Sequence, residues 1–307
     1  MPQSTVQTFI LFLLMAAGFA AGRMSILDAE TVKRLSRFLV AFILPCLIVA
    51  SMQKPLTPEL RGEAFKVLGL SFAVYSLSFP LAFLLVRGLG LRGPMAGVHS
   101  FGAVFANVAF MGFPVMEALF GKAVLFEASI YNIPFQLLAF SVGAAMIASG
   151  TGHRAGLRLA SFVTPAGVAA VIGMGLFLLG VALPFPIFKA MSLLGDTTTP
   201  VSMALIGATL SRTDLKSALS DWRLWASSVY RLLLIPVTLW FALRTLGFSG
   251  ILLGMPVMMA AMPAAVNASI LAAAYGGDVD TASALVFLST AASLATIPLL
   301  ANLLFGI

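Results

Sequence analysis

Charge is what this sequence has least of. Asp, Glu, Lys and Arg make up 9% of its 307 residues, against about a quarter in an ordinary soluble domain, roughly what a wetted surface needs. Most of the chain therefore cannot face water, which excludes a soluble enzyme, a nucleic-acid binder and a disordered regulator. Basic clusters are missing too. The formal net charge is +7, yet the basic residues sit singly or in small groups between apolar runs, so the excess forms no nucleic-acid footprint. The single cysteine, Cys46, lies in an apolar run; it allows no intramolecular disulfide and reads as a small buried filler. The only histidines, His99 and His153, have no Cys or carboxylate at ligand spacing, which argues against a metal site. His99 reads as a packed polar residue, and nothing in the chain calls for a cofactor.

What is present is apolar length. Hydrophobic residues make up 60% and the mean hydropathy is +1.05. Ten apolar segments lie at about 5–22, 35–53, 64–87, 95–120, 123–149, 161–182, 186–210, 224–245, 250–275 and 281–305. These lengths suit helices spanning a bilayer. The first segment ends in small residues, but Met1 to Thr8 holds no Lys or Arg, so an uncleaved helix is expected rather than a signal peptide. The loops after odd-numbered segments carry four, two, two and three basic residues, eleven in all, against six after even-numbered ones. The positive-inside rule then places both termini outside the cytoplasm. No loop is long enough for a soluble domain, so the function is expected within the membrane.

The length suggests two units, and the halves repeat weakly. Pro45 and Pro200, and likewise Gly121 and Gly276, are 155 apart, while Pro80 and Pro236 differ by 156. Five segments per half is an odd number, so the second half enters the membrane inverted. Such repeats are a transporter signature, with the site at the repeat interface. Segment 4 carries Asn107-Val-Ala-Phe-Met-Gly112-Phe-Pro114 and segment 9 carries Met262-Pro263-Ala-Ala-Val-Asn267, with Pro256 before it. Broken helices in matching positions would point partial positive N-termini at one another, which suits a carboxylate. Asn107 and Asn267 would add neutral donors and acceptors. The bland alternative is ordinary kinks at Pro114 and Pro263, with asparagines as interhelical glue.

The stretch NVAFMGFPVMEALFG, Asn107 to Gly121, resembles the fourth-helix motif of the auxin efflux carrier family. MPAAVNASILAAAYGGDVDTASALVFLST, Met262 to Thr290, is similar to that family's ninth helix and the start of its tenth, and Gly18 to Pro45 to its first two. The resemblance implies an all-α integral membrane protein of ten helices in two inverted five-helix repeats, 1–150 and 151–307, with broken helices 4 and 9 crossing. It implies a dimeric scaffold of helices 1, 2, 6 and 7 and a transport unit of helices 3–5 and 8–10. Elevator-type alternating access would then move a small organic anion bound at the crossover: auxin in plant members, malonate or malate in bacterial ones. Only His153 to Arg158 separates the halves here, as in a bacterial-type member of the inner membrane. On this resemblance Asn132 and Gln136, which share a helix face, lie beside the crossover with Gly112, Pro114 and Pro263.

Few charges fall inside the segments. Asp196, in Leu194-Gly-Asp-Thr-Thr-Thr-Pro200, would bind H+ or Na+ as a coupling ion, or serve as a peg hydrogen-bonded by its threonines. Arg231 would snorkel to the interface or act as a counter-charge for the anion. Glu63 and Lys66 could pair across one turn, with a solvated helix start the plainer reading and a coupling role open to Glu63, while Glu117, Lys122 and Glu127 would simply end helices. Gly195-Asp196 is also similar to one half of an intramembrane aspartyl protease site, but that chemistry needs a second buried acid. The sequence therefore reads as a non-enzymatic carrier, with a channel or transporter-like sensor as the alternative.

Overall fold

A computed structural model describes residues 3–149, 151, 164–212 and 220–306, with side chains from Val6 onward. Arg154, Arg158, Lys216 and His153, used in the sequence reading, lie outside the described residues, as does the start of segment 6. Every apolar segment falls on helix. We label the helices α1 (Gln3–Arg23), α2 (Ala29–Ser51), α3 (Pro58–Gly88), α4 (Gly93–Val104), α5 (Val108–Phe120), α6 (Lys122–Ala148), α7 (Pro165–Leu178), α8 (Phe185–Asp196), α9 (Thr198–Leu210), α10 (Trp222–Thr245), α11 (Ile251–Ala260), α12 (Asn267–Tyr275) and α13 (Val279–Phe305). Among the described residues six are long and apolar enough to cross a membrane: α1, α2, α3, α6, α10 and α13. Segments 4, 7 and 9 are each split into two shorter helices.

Prolines account for much of this shape. Among the described residues, π turns occur at Leu39–Ile43, Val108–Gly112, Ala139–Gly143 and Tyr230–Leu234. Three of the four are followed two residues later by proline, namely Pro45, Pro114 and Pro236. Proline has no N–H and its ring clashes with the carbonyl four residues back. A local π turn widens the helix there and lets neighbouring groups re-pair. Pro45 and Pro114 thus sit in helices that continue through them. Pro200 instead occupies the first turn of α9, just after the break at Thr197, where its missing N–H costs nothing.

The chain divides into two compact units. The first comprises Met1–Leu70, Ala109–Gln136 and Val163–Arg212. Within it α1 and α9 lie backbone to backbone. A Cβ on Gly18 would strike the Ala204 backbone, one on Gly22 the Ser211 hydroxyl, and one on Gly207 the Met15 carbonyl. Small residues at such a seam are how membrane helices gain close packing without a hydrophobic driving force. The second half of α2 packs against α7 and α8, with Gly173 against Met52 and Gly195 against the Leu47 backbone. Asp28 caps α2, accepting from the Thr31 N–H at 2.7 Å. The Thr31 hydroxyl, and then this backbone N–H, hold its carboxyl below the usual range. The second unit comprises Ser71–Val108, Leu137–Phe162 and Thr213–Ile307. There α13 packs on α10 and α12, and Gly97 of α4 lies against the Met146 carbonyl.

Candidate functional site

The breaks in segments 4 and 9 meet inside the second unit. Phe105 is extended, with φ −102° and ψ 109°, and Ala106 forms an antiparallel bridge with Ala264. On either side the Asn107 N–H donates to the Pro263 carbonyl at 2.7 Å and the Ala265 N–H to the Phe105 carbonyl at 2.9 Å. The Ala264 N–H donates to Ser289 Oγ of α13 at 3.1 Å. Residues 105–107 and 263–265 thus satisfy their exposed backbone groups on each other, as hydrocarbon surroundings require. Pro263 fits because it has no N–H to satisfy, and because it biases Met262 away from helix. From this two-stranded crossing one helix starts at Val108 and another at Asn267. Asn107 is 4% exposed, and Asn267 is half-buried at the first position of α12.

Arg231 projects from the π turn of α10 into this place. It is 3% exposed. Its Nε donates to the Met262 carbonyl at 3.1 Å and its Nη1 to the Ala103 and Val104 carbonyls at 2.9 and 3.4 Å. The snorkelling expected of it does not occur, since its guanidinium is taken up by backbone oxygens deep in the unit. His99, on α4, is fully buried with Nδ1 2.6 Å from Ser227 Oγ, a packed polar residue.

The first unit holds the remaining candidate site residues. Lys122 Nζ donates to Asp196 Oδ1 at 2.7 Å, and Thr199 Oγ1 donates to Glu117 Oε2 at 2.8 Å. These groups line a cleft of about 680 Å³ with Gln7, Pro114 and Pro200. The threonine peg does not form: Thr197 bonds the Leu194 carbonyl and Thr199 bonds Glu117, while Asp196 takes an ammonium. Lys122, Glu117 and Glu127 do more than end helices. Glu127 is buried, with Lys54 Nζ 3.8 Å from Oε1, and the same ammonium donates to the Ala123 carbonyl at 3.1 Å. Glu63 and Lys66 form no ion pair among the described residues; Lys66 is exposed, where a one-turn pair gains little. Asn132 is 1% exposed and its Oδ1 has no hydrogen-bond partner. Gln136 Oε1 accepts from Thr164 Oγ1 at 3.0 Å, and Thr164 in turn caps α7 through the Gly167 N–H. Among the described residues no three His, Cys, Asp or Glu side chains come together as metal ligands.

A family model described as a membrane transport protein matches residues 4–301. The chain belongs to this family. It is the family that the helix 4 and helix 9 motifs resemble, and with six long apolar helices membership makes the chain an integral membrane protein of transport type. Over 306 residues it is 29% identical to an "Uncharacterized transporter" of Methanothermobacter thermautotrophicus, covering 96% of this chain and 97% of that one. It is 25% identical over 304 residues to a "Putative malonate transporter" of Rhizobium meliloti, covering 93% and 91%.

In this family member the residues singled out from sequence fall into separate groups. Asn107, Pro263, Asn267 and Arg231 belong to the crossing in the second unit. Pro114, Asp196 and Pro200 share the cleft of the first, to which Gly112, Asn132, Gln136, Pro45 and Glu63 also belong. The extended residues are 105–107, at the very start of the Asn107 to Pro114 stretch rather than at its proline, while Gly112 ends a π turn. Ser289 was passed over: its hydroxyl donates to the Leu285 carbonyl at 2.7 Å while accepting from the crossing, and one serine among several small residues carries no sequence signal for that.

Proposed function

We propose that the protein is a secondary carrier for a small organic anion, a mono- or dicarboxylate such as malonate, malate or an auxin-like acid. The observation that carries this reading is the crossing itself, where paired extended segments lead into the N-termini of α5 and α12. Each such terminus carries roughly half a positive charge, which favours a carboxylate. Asn107 and Asn267 stand at those two starts, and neutral amides cost less to bury than charged groups. The name carried by the Rhizobium meliloti relative supports a dicarboxylate of malonate size.

The remainder of the reading is an inverted pair of five-helix repeats, 1–150 and 151–307. Helices 1, 2, 6 and 7 of the ten form a dimeric scaffold, and helices 3–5 and 8–10 move as an elevator in a bacterial inner membrane, with both termini outside. Glu63, half-buried and in no ion pair among the described residues, suits an H+ or Na+ coupling role better than Asp196 does. An enzymatic role is disfavoured because Asp196 faces Lys122, whereas a carboxylate pair sharing a proton needs a second acid.

The test is ligand-induced stabilisation of purified protein, since a ligand that binds only the folded state raises its melting temperature. Malonate at millimolar concentration should raise Tm, and Asn107→Ala should weaken the apparent Kd about tenfold, the loss of one well-placed polar contact. An unchanged malonate response in folded Asn107→Ala protein would remove Asn107 from the site.

A further inference from the structure

Arg231 does something that neither snorkelling nor direct substrate binding describes. Its guanidinium donates to Ala103 and Val104, the last two carbonyls of α4, and to Met262, two residues beyond α11. One side chain thus reaches the C-terminal ends of both helices that lead into the crossing. Those ends are the negative poles of their helices, roughly half a charge each. Arginine is always ionised and presents donors in a fixed fork. A single positive charge therefore offsets two half-charges of opposite sign, and the residue can be 3% exposed where an unpaired charge would be prohibitive.

The sign of what remains is the consequence. A crossing of two broken helices brings together two negative poles, from α4 and α11, and two positive poles, from α5 and α12. Unaided, the four would largely cancel and favour neither ion sign. We propose that Arg231 is a positioning residue which neutralises the C-terminal poles and ties them together, leaving the two N-terminal poles to attract an anion. It acts through the backbone of residues 103–105 and 262–264 and need not touch the substrate. The π turn at Tyr230–Leu234, accommodated two residues before Pro236, lets a helix in the middle of the unit aim this side chain at backbone carbonyls. The inference rests on the carrier reading for its substrate, but its structural half stands without one.

The experiment compares wild type with Arg231→Met, which removes the charge, and Arg231→Lys, which keeps it without the fork. Two readouts separate the clamp from the carrier reading. The first is backbone hydrogen exchange in detergent without ligand. Arg231→Met should speed exchange at least tenfold at Asn107, Ala264 and Ala265 while leaving the α1–α9 seam unchanged, and Arg231→Lys should show a smaller, equally local effect. The second is the ratio of apparent affinities for malonate and its uncharged diamide. That ratio should fall at least tenfold in Arg231→Met and be largely restored in Arg231→Lys. Exchange that is unchanged, or raised uniformly along the chain, would overturn the clamp. Local loosening with an unchanged malonate-to-diamide ratio would overturn its role in anion preference, as would a lysine variant no better than methionine. If wild type ignores malonate and every other carboxylate, the carrier reading fails, while the exchange data still decide whether Arg231 holds the crossing.

Discussion

At the residue scale, Arg231 and the Lys122–Asp196 pair meet their surroundings in opposite ways. Arg231 is fully buried on backbone oxygens, whereas Lys122 and Asp196 are more than a third exposed and joined side chain to side chain. An exposed pair of that kind contributes about 0–1 kcal/mol, so the Lys122–Asp196 bridge is a tie of modest strength. Asp196→Asn and Lys122→Gln should each lower Tm by no more than a few degrees, with the double variant no worse than the larger single effect. Uptake by Asp196→Asn should keep the wild-type response to pH and to sodium gradients. An altered response would return Asp196 to a coupling role. The bridge was not legible in the sequence, because its two residues lie 74 positions apart and no periodicity links them. The direction of Arg231 was hidden for a related reason: on a regular helix it reads as a snorkelling cation, and only the π turn together with two helix ends at the crossing makes a buried position affordable.

At the scale of elements, the sequence located the interrupted segments but not where each one opens. Segments 4 and 9 were marked by Pro114, Pro263 and two asparagines, and both are broken. In segment 9 the break falls at Pro263, a local cause that can be read directly. In segment 4 it falls at residues 105–107, seven or more residues before Pro114. There the cause is tertiary: Phe105 and Asn107 leave the helix to pair with Ala265 and Pro263, a partner 158 residues away at the Ala106–Ala264 bridge. Pro114 and Pro45, each preceded by a π turn, sit in helices that continue through them. The α1–α9 seam was equally invisible, although Gly18 stands in a stretch noted for family likeness. Because the seam brings backbones into contact, Gly207→Leu should be among the most damaging single changes. Overpacking costs about 1–3 kcal/mol even where side chains can yield, and here the obstacle is the Met15 carbonyl. Size-exclusion chromatography in mild detergent should show aggregated or absent protein for Gly207→Leu and a normal peak for a substitution at Gly69, which faces open space.

At the scale of the whole molecule, scarcity of charge was the first property read and it explains the design. With 9% of residues charged, the chain builds its candidate site from backbone poles, two asparagines and one arginine that serves the backbone. Membrane residence, helical class and family were legible because each is spread over many residues. The site was only partly legible, because it depends on where two distant breaks meet. The central claim is that this arrangement binds and carries an organic anion. The measurement that tests it most directly is uptake of radiolabelled malonate into proteoliposomes containing the purified protein, over a range of external concentrations. The account predicts saturable uptake, inhibited by unlabelled dicarboxylates and not by the uncharged diamide. Flux no greater than in protein-free liposomes for malonate and every other small carboxylate tried, or flux rising linearly without saturation, would contradict it.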